Sequence, residues 1–430
     1  MALDPREFRN KRQTRQAQRR QQQARRKSLL IKLAIAAVVV IVCTVLIITV
    51  SRRSKAEPTP TVASIPSATE GSGTAESAAP SQSAAESGDT VIHLAAAGDL
   101  NVTQGVVDSA QGEYDYTNTF IDVAPVLASA DITTVNFEGN FFGTPYGQDY
   151  SAPETMAQAL SDAGVDLVQL ANSYSIYKGM DGLASTVQTI HSANMRPVGA
   201  YATPDEAKAA RGFTLCTVQG VRIAFVSFTK GMNGMALPAG NEGCVNLLYK
   251  DYSSDYQEVD TEGITAVLDA VWKEKPDLTV ALLHWGSEYN NTVSESQKEI
   301  TQLLQGLGVD AIIGTHSHYV QKMEFDPDKG TFVAYSLGDF LGDAPRAGSE
   351  YSVILDLEIT KYKKTGETKI TGYSYTPIFS VVEEGKPIRV VRIAQAMQAY
   401  EGGYIDSVSQ STYDAMKNAL ERIKARVKGE

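Results

Sequence analysis

The chain has 430 residues, 43% hydrophobic and 21% charged, a mixture that excludes a disordered, collagenous or multi-span membrane protein and points to one or two globular domains. Its net charge of −11 conceals two unequal parts: residues 1–55 carry 14 Lys+Arg against Asp4 and Glu7, a net of +12, which leaves 25 Lys+Arg and 48 Asp+Glu, a net of −23, for residues 56–430. An acidic main body argues against nucleic acid as a partner.

Residues 1–28 are rich in Arg and Gln and almost free of large apolar side chains, so they cannot bury enough surface to offset chain entropy, and a disordered or surface-lying basic arm is expected. From Leu33 to Val50 no residue is charged, and Lys32 near the start of the run can reach the headgroups by snorkelling. Residues 29–50 thus read as a transmembrane helix. The run is longer than a usual signal core, and Ser51-Arg52-Arg53-Ser54-Lys55 follows it where a cleavage site would carry small residues. Ten Lys/Arg between Arg6 and Lys27 outweigh Arg52, Arg53 and Lys55, which puts the N-terminus in the cytoplasm and everything beyond the span outside the membrane. Residues 51–90 form a Pro/Ser/Ala-rich tract that reads as a flexible stalk with a reach of roughly 30 Å. Cys43 lies in the span. Cys216 and Cys244 lie beyond it and suit either one disulfide or two buried thiols.

From residue 91 to about 400 short apolar runs alternate with helical patterns, as in an α/β sheet built from crossover units. The expected strands are Val91–Ala97, Ile132–Asn136, Val165–Leu170, Pro197–Gly199, Phe213–Val218, Arg222–Phe228, Leu278–His284, Ala311–Gly314, Phe332–Leu337 and Tyr351–Glu358. Helices are expected at Thr119–Ser129, Pro153–Ala163, Asp181–Ala193, Glu262–Trp272 and Ser296–Leu307, and a C-terminal helix in residues 401–430.

Ligands of open α/β sheets collect beyond the carboxyl ends of strands. Asp99, Glu138, Asn172, His284, His316 and His318 all follow or end such strands, and they include three of the five histidines. Each has a plainer reading: Gly98-Asp99 suits a turn, Glu138 a solvated loop, and His284 beside Trp285 a satisfied core histidine. His316-Ser317-His318 resists that treatment, because two imidazoles directly after an apolar strand can both turn to one ligand. Mixed carboxylate and imidazole donors suit a divalent Mn, Fe or Zn ion better than Ca or Mg, and two such ions can bridge a phosphate or carbonyl oxygen.

The blocks Ala97-Gly98-Asp99-Leu100, Asn136-Phe137-Glu138-Gly139, Leu170-Ala171-Asn172, His284-Trp285-Gly286-Ser287-Glu288-Tyr289, Gly314-Thr315-His316-Ser317-His318 and Tyr335-Ser336-Leu337-Gly338-Asp339-Phe340 occur in an order that resembles the CapA family of bacterial poly-gamma-glutamate capsule biosynthesis proteins, from about His93 to Leu355. The resemblance implies a metallophosphoesterase-like α/β sandwich, two β-sheets flanked by helices, with metals over the strand ends. It implies metal-side roles for Asp99, Glu138, His284, His316 and His318, and partners among cell-envelope polymers, their precursors and other capsule or envelope biosynthesis proteins. The sequence departs from the family where Leu-Ala-Asn-Asn-His is usual. Ser173 stands for an amide expected to touch metal, Tyr174 for a histidine expected to act as general acid, and Asp339 for an Asn. A tyrosine with a pKa of about 10 is a poorer proton donor than imidazole at neutral pH. The catalytic candidates are His284, His316 and Tyr174. Two functions follow: a metal-dependent hydrolase or transferase of the cell envelope, or a catalytically degenerate polymer-binding scaffold. A purely structural tether ranks last, because it leaves the strand-end histidines without a purpose.

Overall fold

The computed structural model describes residues 88–110, 112–404 and 407–430. The basic arm, the span at 29–50, Cys43 and nearly all of the stalk lie outside the described residues, and among the described residues no helix is long and apolar enough to cross a membrane.

The domain opens with four parallel strands, β1 (Thr90–Asn101), β2 (Ile132–Glu138), β3 (Leu167–Gln169) and β4 (Arg196–Val198). A second sheet follows from β5 (Phe213–Val218), β6 (Val221–Thr229), β7 (Leu278–His284), β8 (Ala311–Thr315), β9 (Met323–Asp326) and β10 (Thr331–Ala334), in the order β5-β6-β7-β8-β10-β9. The chain then returns to the first sheet. Strand β11 (Asp339–Leu341) pairs with the end of β1, and β12 (Tyr351–Lys361), β13 (Thr368–Val381) and β14 (Arg389–Arg392) add antiparallel neighbours, giving β14-β13-β12-β1-β2-β3-β4.

Period-two alternation builds the layers. Ile92, Leu94 and Ala96 of β1 meet Ile223 and Phe225 of β6 and Val280 and Leu282 of β7 in the core between the sheets. The other face of the first sheet, including Ala95 and Val135, packs on helices α1 (Glu154–Asp162) and α2 (Gly179–Ser192) through Met156, Leu160, Leu183 and Ile190. Helix α3 (Pro204–Ala210) leads into β5, with Thr203 accepting from the Glu206 N–H as its cap. The outer face of the second sheet packs on α4 (Thr261–Lys273) and α5 (Glu295–Gly306) through Ile264, Leu268, Ile300 and Leu304. Burying a side chain such as Leu282 contributes about 1.5–3 kcal/mol, more than the roughly 1 kcal/mol of a single neutral hydrogen bond, so apolar ladders on both faces fix the strand register. This is the expected α/β architecture of two sheets flanked by helices.

Several local features differ from expectation. The helix expected over Thr119–Ser129 is split into turns at Thr117–Phe120 and Ala124–Leu127, because Pro125 has no N–H for a continuing ladder and takes a first-turn position. Of the two readings left open for Cys216 and Cys244, the structure has the buried free thiols. Helix α6 (Ile393–Glu401) precedes the C-terminal helix α7 (Gln410–Lys428), which buries Met416, Ala419, Ile423 and Val427 against the inter-sheet core. Arg426 of α7 lies over the rings of Tyr319 and Tyr351, at 4.7 and 5.0 Å, and so braces the loop that carries His318.

Candidate metal centre

The carboxyl ends of β1, β2, β7 and β8 converge on Asp99. A bulge between Ala96 and Asp99 in the pairing of β1 with β2 re-aims this residue, and its N–H donates to Gly338 O at 3.0 Å. That approach needs glycine next door: a Cβ on Gly98 would stand 1.8 Å from Gly338 O. On β2, Asn136 and Glu138 share one face while Phe137 turns into the apolar layer with α1 and α2. The Asn136 amide donates to Asp99 Oδ1 at 2.6 Å and to Glu138 Oε1 at 3.1 Å.

His284 ends β7 and is fully buried. Its Nδ1 lies 3.2 Å from Thr315 Oγ1 and 3.4 Å from Glu138 Oε1, and its Nε2 lies 3.0 Å from Ser173 Oγ. Beyond β8, His316 and His318 both adopt positive φ, 86° and 58°, a conformation that costs a non-glycine residue about 1–3 kcal/mol. Specific contacts hold them there: the His316 N–H donates to Asp99 Oδ2 at 2.9 Å, and His318 Nδ1 lies 2.7 Å from Asp339 Oδ1.

Two groups of potential ligands result, Asp99–Glu138–His284 and Asp99–His318–Asp339, each with its donor atoms within 4.8 Å of one another and all buried. Burial pushes the Asp99 carboxyl up to about 6 against the pull of His318, and burial together with Asp99 pushes Glu138 well above the usual range. Burial holds His284 far below an ordinary imidazole, with His316 and His318 adding repulsion, so its contact with Glu138 is not an ion pair. Burial disfavours charge on His318 as well, yet Asp339 outweighs it and lifts that imidazole to about 10. Asp339 is itself pushed up by burial against the pull of His318, and the two form a buried hydrogen-bonded pair at 2.7 Å. Three buried acids, Asp99, Glu138 and Asp339, therefore share the site with His318, and burial raises all three toward their neutral forms. Uncompensated buried charge is costly, and a divalent cation would offset it, displacing protons from the acids and from His318 as it binds, so the residues present fit such an ion.

The remaining expected residues sit around this core. Asn172 uses its amide structurally, donating to Asn136 Oδ1 and Phe137 O and accepting from the Tyr174 N–H. His316 belongs to neither ligand group; its ring centre is 4.4 Å from that of His284, burial pushes its pKa well down, and it lines a cleft of about 280 Å3 with Ser173, Lys230, Tyr256, Ser287 and Glu288. Tyr174 packs on Tyr150 and Tyr177, at 4.2 and 5.7 Å between ring centres, and burial followed by the nearby Glu138 pushes its phenol up. A larger cavity of about 620 Å3 beside Arg389 and Arg392 contains none of these residues.

Asn136, Thr315 and Lys230 are site residues that the sequence reading does not single out. Asn136 and Thr315 lay within recognised blocks, and the alternation of β2 places Asn136 beside Glu138. Lys230 follows the end of β6, so the strand-end rule that found the histidines also reaches it.

The family described as bacterial capsule synthesis protein PGA_cap matches residues 93–344. The chain is 28% identical over 239 residues to the capsule biosynthesis protein CapA of Bacillus anthracis, covering 54% of this chain and 55% of that one. It is 24% identical over 292 residues to the PGA biosynthesis protein CapA of Bacillus subtilis (strain 168), covering 66% of this chain and 71% of that one. The chain thus spans about half the length of the first relative and more of the second. Among solved structures, the calcineurin-like phosphoesterase YfkN from Bacillus subtilis is similar with a TM-score of 0.43 at 16% identity, covering 78% of this chain and 99% of that one.

Proposed function

The chain belongs to the PGA_cap family of bacterial capsule synthesis proteins, and from that premise we propose that its α/β domain is a metal-dependent hydrolase or transferase acting on a cell-envelope polymer or its phosphorylated precursor. The two activities differ only in whether water or a group on the polymer accepts the transferred unit. The observation that carries this reading is the pair of buried ligand groups that share Asp99. Asp99, Glu138 and His284 would hold one Mn, Fe or Zn ion, and Asp99, His318 and Asp339 a second. When bound, such ions act as Lewis acids toward a phosphoryl or carbonyl oxygen and lower the pKa of water.

The protein's own groups supply the rest. Asn136 orients the Asp99 and Glu138 carboxylates. His316 faces the cleft outside both ligand groups and is placed to take a proton from the attacking group. Tyr174, held with its proton by burial, gives little help to a leaving group, which favours substrates whose leaving group departs as a stable anion. Phosphoesterase and peptide-bond hydrolysis should fall by about 10²–10⁴-fold in His316→Ala. Equal rates in both proteins would remove His316 from the chemistry.

One contact favours a second reading, a scaffold that binds polymer without turning it over: Ser173 Oγ occupies His284 Nε2 at 3.0 Å. Polymer binding with no hydrolysis in metal-loaded wild type would select it.

The charge asymmetry between residues 1–55 and the rest supports a single-pass anchor with the N-terminus in the cytoplasm and the domain outside, beside other envelope biosynthesis proteins. Protease added to intact cells should digest the C-terminal domain and spare the basic arm. Protection of the domain would overturn this orientation.

A further inference from the structure

Lys230 is the cation of the cleft, and nothing in the metal chemistry requires it. Its backbone is tied to the site, since its N–H donates to His284 O at 2.8 Å in the segment that follows β6. Its ammonium donates to Gly286 O at 2.8 Å and stands 4.6 Å from the ring centre of Tyr256. An ammonium has three N–H donors, and a carbonyl with an aromatic face leaves it able to give a charge-assisted hydrogen bond. No carboxylate among the described residues lies within ion-pair distance of it; Glu288, in the same cleft, supports its charge from farther off against the cost of burial. Its charge is felt by the imidazoles, because it adds to the forces that keep His284 and His316 neutral.

The domain as a whole repels anions. Residues 56–430 carry a net of −23, a figure that includes the three buried acids of the ligand groups. That repulsion is screened beyond roughly 8 Å at physiological ionic strength, so a cation inside the cleft decides what is held at contact. Ser173, Ser287 and Asn233 line the same cleft and offer neutral polar groups to a bound oxyanion.

We propose that Lys230 is the anion anchor of this cleft, taking an oxygen of a substrate phosphoryl or carboxylate group and so holding the reacting region beside His316. The proposal rests on the cleft being the substrate site of the metal-dependent reaction. Lys230 acts here as a binding residue, selecting substrates that carry a negative charge next to the bond that reacts.

The test uses the full chain in detergent, equilibrated with Mn²⁺, with inorganic phosphate and glutarate as probes in separate calorimetric titrations. Wild type should bind at least one probe, phosphate indicating a phosphoryl group and glutarate a carboxylate. Lys230→Met should weaken that binding by about 10-fold or more, the scale expected when a hydrogen bond to a charged group is lost, whereas Lys230→Arg should keep most of it. Lys230→Gln gives the same readout if the Met variant does not fold. Bound Mn²⁺ should be equal in all variants, which separates anion anchoring from the metal reading. Weakened anion binding in protein that holds no metal would leave the anchor standing and remove the metal reading. Binding of both probes by Lys230→Met as tightly as by wild type, or of neither by wild type, would overturn the anchor.

Discussion

Exchanging Ser173 for Asn and Tyr174 for His together is expected to raise hydrolysis by about 10²–10⁴-fold, the contribution of a positioned general acid. Tyr174 lies in the loop after β3, close enough to Glu138 for that carboxylate to help push its phenol up, so it keeps its proton at any physiological pH. An imidazole in its place has an ordinary pKa of about 6.5 and can give and recover a proton near neutrality. The smaller ring gives up contacts with Tyr150 and Tyr177, each worth about 0.5–1.5 kcal/mol, a loss that a folded domain tolerates. Ser173→Asn acts on another part of the site. The serine hydroxyl now sits against His284 Nε2 at 3.0 Å, and an amide there offers a stronger ligand oxygen and frees the imidazole. Steady-state kcat/KM on a chromogenic phosphodiester, measured for both single variants and the double, separates the contributions. No gain in the double variant would mean that turnover does not await a proton donor at this position.

The parts of the fold that could be read from sequence are those whose local pattern has one interpretation. Phe213–Val218 and Leu278–His284 are short apolar runs bounded by turn residues, and both are strands with those limits. Strand β13 was not foreseen because Gly372 and Pro377 interrupt it and its side chains alternate weakly; pairing with β12 and β14 stabilises it regardless. The site shows the same division. Asp99, Glu138, His284 and His318 stand at the ends of recognisable strands and enter the two ligand groups. Asp339 completes the second group through a three-residue strand that reaches β1 across more than two hundred residues of chain, a closure no local pattern announces. His316 and His318 are only two positions apart, yet the positive φ at both sends one ring into the cleft and the other onto Asp339. A lysine after a strand is usually a solvated charge, and only the fold places Lys230 in one cleft with His316.

The metal centre depends most on Asp99, the one side chain common to both ligand groups. Its burial and the proximity of Asp339 raise its carboxyl to about 6, so at neutral pH an ionised Asp99 is a liability unless a cation accompanies it. Removing it should therefore abolish metal binding at both positions, whereas Asp339→Ala should leave Asp99, Glu138 and His284 able to hold one ion. The expected loss of affinity for Asp99→Ala exceeds the roughly 10–100-fold seen when a group that merely orients a ligand is replaced. The decisive measurement is elemental analysis of the full chain, purified in detergent without chelator and dialysed against Mn, Fe or Zn. Wild type should retain one or two ions per chain and Asp99→Ala only background; folded wild type that retains none, or the same amount as Asp99→Ala, would contradict the metal centre.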